Sequence, residues 1–459
     1  MQARKQMAES VLYVEPSRVK VEVANLNSSA IGGIEAAVAR LDSWLDTMRS
    51  VKGYGGPVVH WWQQSLLYTG PGLDWRYEGI ITGYLHLWER TGEGGWLAKA
   101  YRAGDDLVSG QLENGHYPAS AFELNPASAG TPHEAACDAA LLRLALMLRQ
   151  AGISSWESYV DVARQNLRTF YIEQLWDTQT LSFRDSLRTP SFVPNKAATA
   201  CEAIFLLSEL DGDTQLVDQY IIPTLDRIIE YQVKGGGPLD GAIAQNSIAS
   251  RLVEKYFPVY IARCIPGLVC GYRWTGRDTY IDAALRAMKF IARWADRDGS
   301  FPTVVYPDQR VNRYPSWIAP LGDVLLAADI LLPYGFDADL STTVERLLAG
   351  QDTSGGIQTA RGFAAKAGGH LPQLPDVRDV MHVAGWCDKV FRWLASRSGP
   401  VLPEAKNQDF EMDCTFRGKR MTLRETPEVL EVTCKNQVCY RWQKGQTWAE
   451  IAEPEFWLR

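Results

Sequence analysis

Apolar positions recur at helical spacing along most of the chain, in two alternating kinds of segment. Six segments are rich in Ala and Leu on more than one helical face and begin near Trp75, His133, Asn195, Lys255, Ser316 and Asp376. Between them run amphipathic stretches such as WESYVDVARQNLRTFYIEQLW, TQLVDQYIIPTLDRIIEYQ and DTYIDAALRAMKFIARWA, whose charges fall on one face. A helix that is apolar all round must be buried, so the first set predicts an inner wall and the second an outer ring. The inner segments start about 60 residues apart, room for two helices and two loops per repeat. The pattern predicts an all-α, six-hairpin α/α toroid over residues 30–400, with an extended arm over 1–29. After Pro400 short alternating runs with β-branched residues predict a small β-rich extension over 401–459.

The connections differ in kind. Inner-to-outer links are tight, as in RTGEGGW, ELDGDTQ and WTGRDTY, with Gly or Asp to cap helix ends. Outer-to-inner links are long, and several end in Pro just before the inner helix, where its missing N–H costs nothing. Long loops tend to carry function, so any chemistry is expected at one mouth, at the inner-helix N-termini.

Composition narrows the classes. With 46% hydrophobic residues a large core can be buried, and a net charge of -7 argues against a nucleic-acid partner. The N-terminus lacks the apolar core of a signal peptide, and no apolar run reaches the roughly 20 residues of a membrane span, so a cytoplasmic chain without a transmembrane segment is expected. Eight cysteines without CxxC pairs predict reduced, mostly buried thiols. No Walker loop, HExxH or strand-borne GxGxxG occurs, and neither metal nor cofactor is expected. The 16 Trp and 19 Tyr demand an aromatic core or a cavity lined with ring faces.

Outer segments end in a recurring phrase: Gln111 to Gly115 and Tyr117, Gln232 before a Gly run, Asp298-Gly-Ser-Phe301, and Gln351 to Gly355 and Ile357. A Gln bonded to a helix end, a Gly in the turn and an aromatic plug would serve any toroid. The last phrase is followed by Pro375-Asp376-Val377-Arg378-Asp379, which places Asp376 and Asp379 one turn apart at the opening of the final inner helix, with His382 a turn beyond and Val383, Trp386 and Val390 continuing the stripe. Asp376 as an N-cap and Asp379 as a first-turn acid is the purely architectural alternative.

These features resemble the class II terpene cyclases, whose QW turns precede an Asp-x-Asp-Asp acid motif, and especially the single-domain meroterpenoid cyclases of the merosterolic acid synthase kind. Arg378 stands where that pattern has its proton donor. The resemblance implies that Asp379 or Asp376, assisted by His382, or else Asp74, protonates a terminal isoprene double bond. Trp61, Trp62, Trp75, Tyr77, Tyr256, Tyr260, Tyr314, Trp317 and Trp386 would then hold the cations in the lumen. Arg263 and Arg313 would meet an anionic or aromatic head of the isoprenoid substrate, and peripheral membrane contact would follow.

A different chemistry competes. DGSFP-like turns and TGRDTYIDAA-like helix starts also resemble glycan-active toroids, that is hydrolases, lyases or epimerases of acidic sugars. Such an enzyme would draw paired carboxylates from Asp74, Glu78, Glu134 and Asp379. A non-catalytic binding scaffold is the third alternative.

Overall fold

The structure, a computed structural model, describes residues 28–59, 67–68, 70–118, 133–185, 187, 190–249, 251–366 and 369–458. Six inner helical stretches surround a common axis: α2 (Arg76–Thr91), α4 (Glu134–Gln150), α6 (Pro194–Asp211), the pair α8 (Pro258–Ala262) and α9 (Ile265–Thr275), α11 (Leu321–Leu331) and α14 (Ala384–Arg397). The outer layer comprises α3 (Gly94–Gly110), α5 (Glu157–Asn166) with its π-helical continuation Leu167–Leu175, α7 (Ile222–Glu230), α10 (Asp278–Arg293) and α12 (Ser341–Ala349). The sixth outer position is taken by α1 (Ser28–Thr47), which packs against α14 and α12 and closes the ring. This is the α/α toroid that the 60-residue pattern predicts.

Burial follows the two sequence patterns. In α4 every residue but Arg143, Arg149 and Gln150 is buried, whereas α10 hides one face. Gly92, Gly212 and Gly276 end their inner helices in the left-handed conformation and make the tight turns to the outer layer. Ring closure needs α2 to lie almost on α14. A Cβ at Gly79 would sit 2.3 Å from the Asp388 carbonyl oxygen, and one at Gly83 would sit 2.4 Å from the Phe391 ring.

The recurring Gln–Gly phrase is a tie between outer helices. Gln111 Nε2 donates to the Gly115 carbonyl at 3.0 Å and to Val162 of α5 at 2.8 Å. Gln232 Nε2 repeats this with Gly241 and Ala283 of α10 (3.2 and 2.8 Å), and Gln351 Nε2 with Gly355 and Ala37 of α1 (both 2.9 Å). Each Gln bonds one carbonyl of its own turn and one on the next helix round the ring. No cyclase chemistry is needed to explain the QW-like turns.

The final inner helix does not open at Asp376. A single turn, α13 (Val377–Val380), is followed by extended backbone at Met381–Val383, where His382 bridges to Gln358, and α14 begins only at Ala384. The predicted stripe from Asp379 to Val390 is therefore broken. Similarly, Ser316–Trp317 is a short strand paired with Ala360–Arg361, and its inner helix starts later, at Leu321.

A five-stranded antiparallel sheet follows: β1 (Phe410–Phe416), β2 (Lys419–Glu425), β3 (Val429–Cys434), β4 (Gln437–Gln443) and β5 (Glu450–Ile451), in chain order. Its inward residues Cys414, Phe416, Met421, Leu423, Leu430, Val432, Tyr440 and Trp442 are buried. Glu425 docks the sheet on the toroid by accepting from Trp44 Nε1 (2.8 Å), Lys444 Nζ (2.8 Å) and His382 Nδ1. All eight cysteines are unpaired. Among the described residues no helix is long and apolar enough to cross a membrane.

Candidate active site

The lumen is crossed by charge. Each inner stretch contributes one ionic residue, and the signs alternate round the ring: Glu78, Arg143, Glu202, Arg263, Asp323, Arg392. Arg143 bridges Glu78 and Glu202 at 2.9 and 2.8 Å, and Arg392 bridges Glu78 and Asp323 at 2.9 and 2.7 Å. Arg263 reaches Glu202 at 3.1 Å and Glu78, from the opposite side of the ring, at 2.8 Å. Burial pushes the Glu78 carboxyl up, but Arg263, Arg392 and Arg143 outweigh it and hold the group well below the usual carboxylate range. Beside the ring, burial lifts the Asp388 carboxyl to about 7 against the pull of Lys389 at 2.8 Å. Sequence reasoning picked out Glu78 and Arg263 but missed the other four; the available signal was a charge of alternating sign recurring in the inner segments at about the repeat spacing, among other charges.

The predicted acids are tied down. Asp376 caps α13, accepting from the Arg378 backbone N–H at 2.9 Å, and chelates the Arg378 guanidinium at 2.7 and 2.9 Å. Asp379 completes the capping box: one oxygen accepts from Asp376 N at 3.1 Å and the other from Phe363 N at 2.9 Å. Burial lifts its carboxyl to about 6. Asp74 chelates Arg76 at the same 2.7 and 2.9 Å, so Asp74-Trp75-Arg76 and Asp376-Val377-Arg378 are the same local device at two inner-helix entrances. His382 does bond carboxylates, but they are Glu425 and, at 2.9 Å, Asp352; these raise its imidazole to about 9 despite burial.

The aromatic residues divide. Trp75, Trp317 and Trp386 come together at the mouth in a row of rings: His133 to Trp75 (5.1 Å between centroids), Trp75 to Trp386 (6.5 Å), Trp386 to Trp317 (5.5 Å) and Trp317 to Phe363 (5.8 Å). Trp75 Nε1 and Trp386 Nε1 are anchored to the carbonyls of Gly385 (2.6 Å) and Val59 (2.7 Å). The three tryptophans are 6–8% exposed, and the row ends in half-buried His133 and Phe363. The other predicted rings lie apart. Tyr77 turns toward the outer layer, its hydroxyl bonded to Asp106 at 3.1 Å. Tyr256 packs on Phe290 of α10, Tyr260 on Phe257, and Tyr314 against Gly362 and Gly369. Arg313 is exposed and paired with Asp296. Trp61 and Trp62 lie outside the described residues.

At the His133 end, Glu134 is buried with His116 Nδ1 at 2.9 Å and Asn166 Nδ2 at 2.5 Å. One turn along α4, burial raises the Asp138 carboxyl well above its ordinary value, with Tyr117 donating to it at 2.9 Å. Among the described residues no group of three or more His, Cys, Asp or Glu side chains is arranged to hold a metal.

No protein-family model matches the chain, and no curated protein matches it. Solved structures share its fold. An unsaturated glucuronyl hydrolase specific for heparin superposes with a TM-score of 0.57 at 11% identity, covering 81% of this chain and 97% of its own. The unsaturated glucuronyl hydrolase of Bacillus sp. GL1 gives 0.56 at 15% identity, covering 80% and 95%. An α-1,6-mannanase from a Salegentibacter species gives 0.52 at 12% identity, covering 79% and 98%.

The expected class II terpene or meroterpenoid cyclase is overturned on these findings, because the toroids that this chain resembles act on glycans. The local geometry explains the misreading. The acid motif is a capping box with a chelated arginine, and the lumen that would have to guide carbocations past ring faces is bridged by six alternating charges. The isoprenoid substrate and the peripheral membrane contact expected with it fall together with the cyclase.

Proposed function

We propose that the chain is a glycan-active enzyme that cleaves glycosidic bonds, by hydrolysis or elimination, at the long-loop mouth of the toroid. The row of rings from His133 to Phe363 carries this reading. The buried tryptophans form its floor, and the half-buried rings of His133 and Phe363 at its two ends offer surface to a sugar. The likeness in fold to glycan-active toroids supports it.

Of the four carboxyls considered for such chemistry, Asp74 is chelated by Arg76, Glu78 is held by three arginines, and Asp379 is engaged by two backbone N–H groups. Glu134 remains. It stands next to His133 at one end of the row, with His116 Nδ1 2.9 Å from its carboxylate. Glu134 is the proposed proton-transfer residue, with His116 and Asn166 fixing its position.

The test is incubation with unsaturated uronides, glycosaminoglycan fragments and α-1,6-mannan oligosaccharides, following new reducing ends and unsaturated products. The wild type is expected to cleave at least one class, and Glu134→Gln to lose turnover by about 100-fold or more while still binding. Turnover unchanged in Glu134→Gln would remove that residue from the chemistry, and no binding or cleavage of any glycan would refute the function.

A further inference from the structure

The row of rings ends at Phe363, the ring whose surroundings are built most deliberately. Its backbone N–H is held by Asp379 at 2.9 Å, its edge meets Trp317, and its face carries the Arg378 guanidinium 4.6 Å from the ring centroid. The same guanidinium lies 5.4 Å from the ring of Phe416 on β1, while Asp376 chelates it with both oxygens. Just before Asp376, the Pro375 carbonyl accepts from Thr415 N at 2.8 Å, so this stretch runs along the sheet edge as well. An arginine in this position is a tie. Its cation meets two rings, one at the mouth and one on the sheet, and its fork is locked by a carboxylate so that it cannot rotate away.

We infer that Asp376, Arg378 and Asp379 form a positioning unit that fixes Phe363 as the distal sugar-binding ring and couples it to the C-terminal sheet. The inference rests on the glycan-cleaving reading above. Because Phe363 stands four ring steps from His133, it touches only the far end of a long substrate, and a short one bound at Glu134 does not reach it.

The test compares full-length wild type, Arg378→Gln and Arg378→Lys on disaccharide and hexasaccharide forms of the glycan that the wild type cleaves, with fluorine NMR of fluorophenylalanine-labelled protein alongside. Phe363→Leu assigns the Phe363 signal. In Arg378→Gln the hexasaccharide KM is expected to rise about tenfold with kcat unchanged, the disaccharide KM to stay as it was, and the Phe363 signal to shift. Arg378→Lys restores the cation without the fork and should recover part of the KM. Phe416→Leu removes the sheet-side ring alone and should give a smaller rise, which keeps the test open should Arg378→Gln fail to fold. Equal effects on short and long substrates, or a Phe363 signal indifferent to Arg378, would overturn the inference. A shifted signal in a protein that binds no glycan would instead refute the function and leave the positioning of Phe363 standing.

Discussion

Alkaline pH should loosen the seam between toroid and sheet, and His382 sets how much. The ring is buried between Glu425 on β2 and Asp352 in the last long connection, with Ser354 also near Nδ1 and the rings of Trp44 and Phe410 against it. Burial alone would favour neutral imidazole, but the two carboxylates outweigh it and raise the group from 6.5 to about 9. The folded state thus binds the proton more tightly than the unfolded chain. A raised value means that the stabilisation is complete below pH 6.5 and is lost as pH rises through about 9. A difference of that size corresponds to about 3 kcal/mol. The assay is urea denaturation in small steps across this window for wild type and His382→Gln. The variant will start less stable, since Glu425 and Asp352 lose a buried partner, although Lys444 still neutralises Glu425. The decisive quantity is the slope, because lysine and tyrosine titrations common to both proteins cancel in the difference. Wild type should lose about 3 kcal/mol more than the variant between the ends of the window. Parallel curves would show that His382 is not held as an imidazolium, and the ion-paired seam would be wrong.

Two further perturbations probe the ring itself. Glu78→Gln leaves Arg143, Arg263 and Arg392 facing a neutral amide in the lumen and should cost about 3–5 kcal/mol of stability, read by denaturant midpoint; a loss below about 1 kcal/mol would mean that the arginines are solvated rather than bridged. Gly241→Ala places a Cβ 2.0 Å from the Arg286 carbonyl oxygen at a residue with φ of 91°, so the turn after α7 must move off α10. A loss of about 2 kcal/mol or more is expected, and a thermally unchanged variant would deny the close approach.

How far the sequence could be read depended on the range of the interactions. The helical period and the repeat spacing depend on neighbours within a turn or two, and they led to the toroid, the tight Gly turns and the long-loop mouth. The acid motif failed for a local reason. Whether Asp376 is a proton donor or a cap turns on whether the arginine two residues later folds back on it, and Asp74-Trp75-Arg76 shows the same fold-back at another entrance. The tryptophans of the mouth were legible as aromatic residues at inner-helix starts, but Tyr77, one position along from the Asp-x-Arg device, faces the opposite way and is spent on Asp106. The charge ring was the least legible feature. Glu78 and Arg263 are 185 residues apart and meet only because six repeats bring the first opposite the fourth. Each charge taken singly looks like a solvated position on a helix, and only the alternation of sign at repeat spacing marks it. Closure of the ring also decides what the lumen can hold. With Glu78 engaging arginines from three other inner stretches, an apolar chain has no path down the axis. On the proposed glycan-cleaving reading, the substrate lies across the mouth, where the inner-helix starts gather their rings.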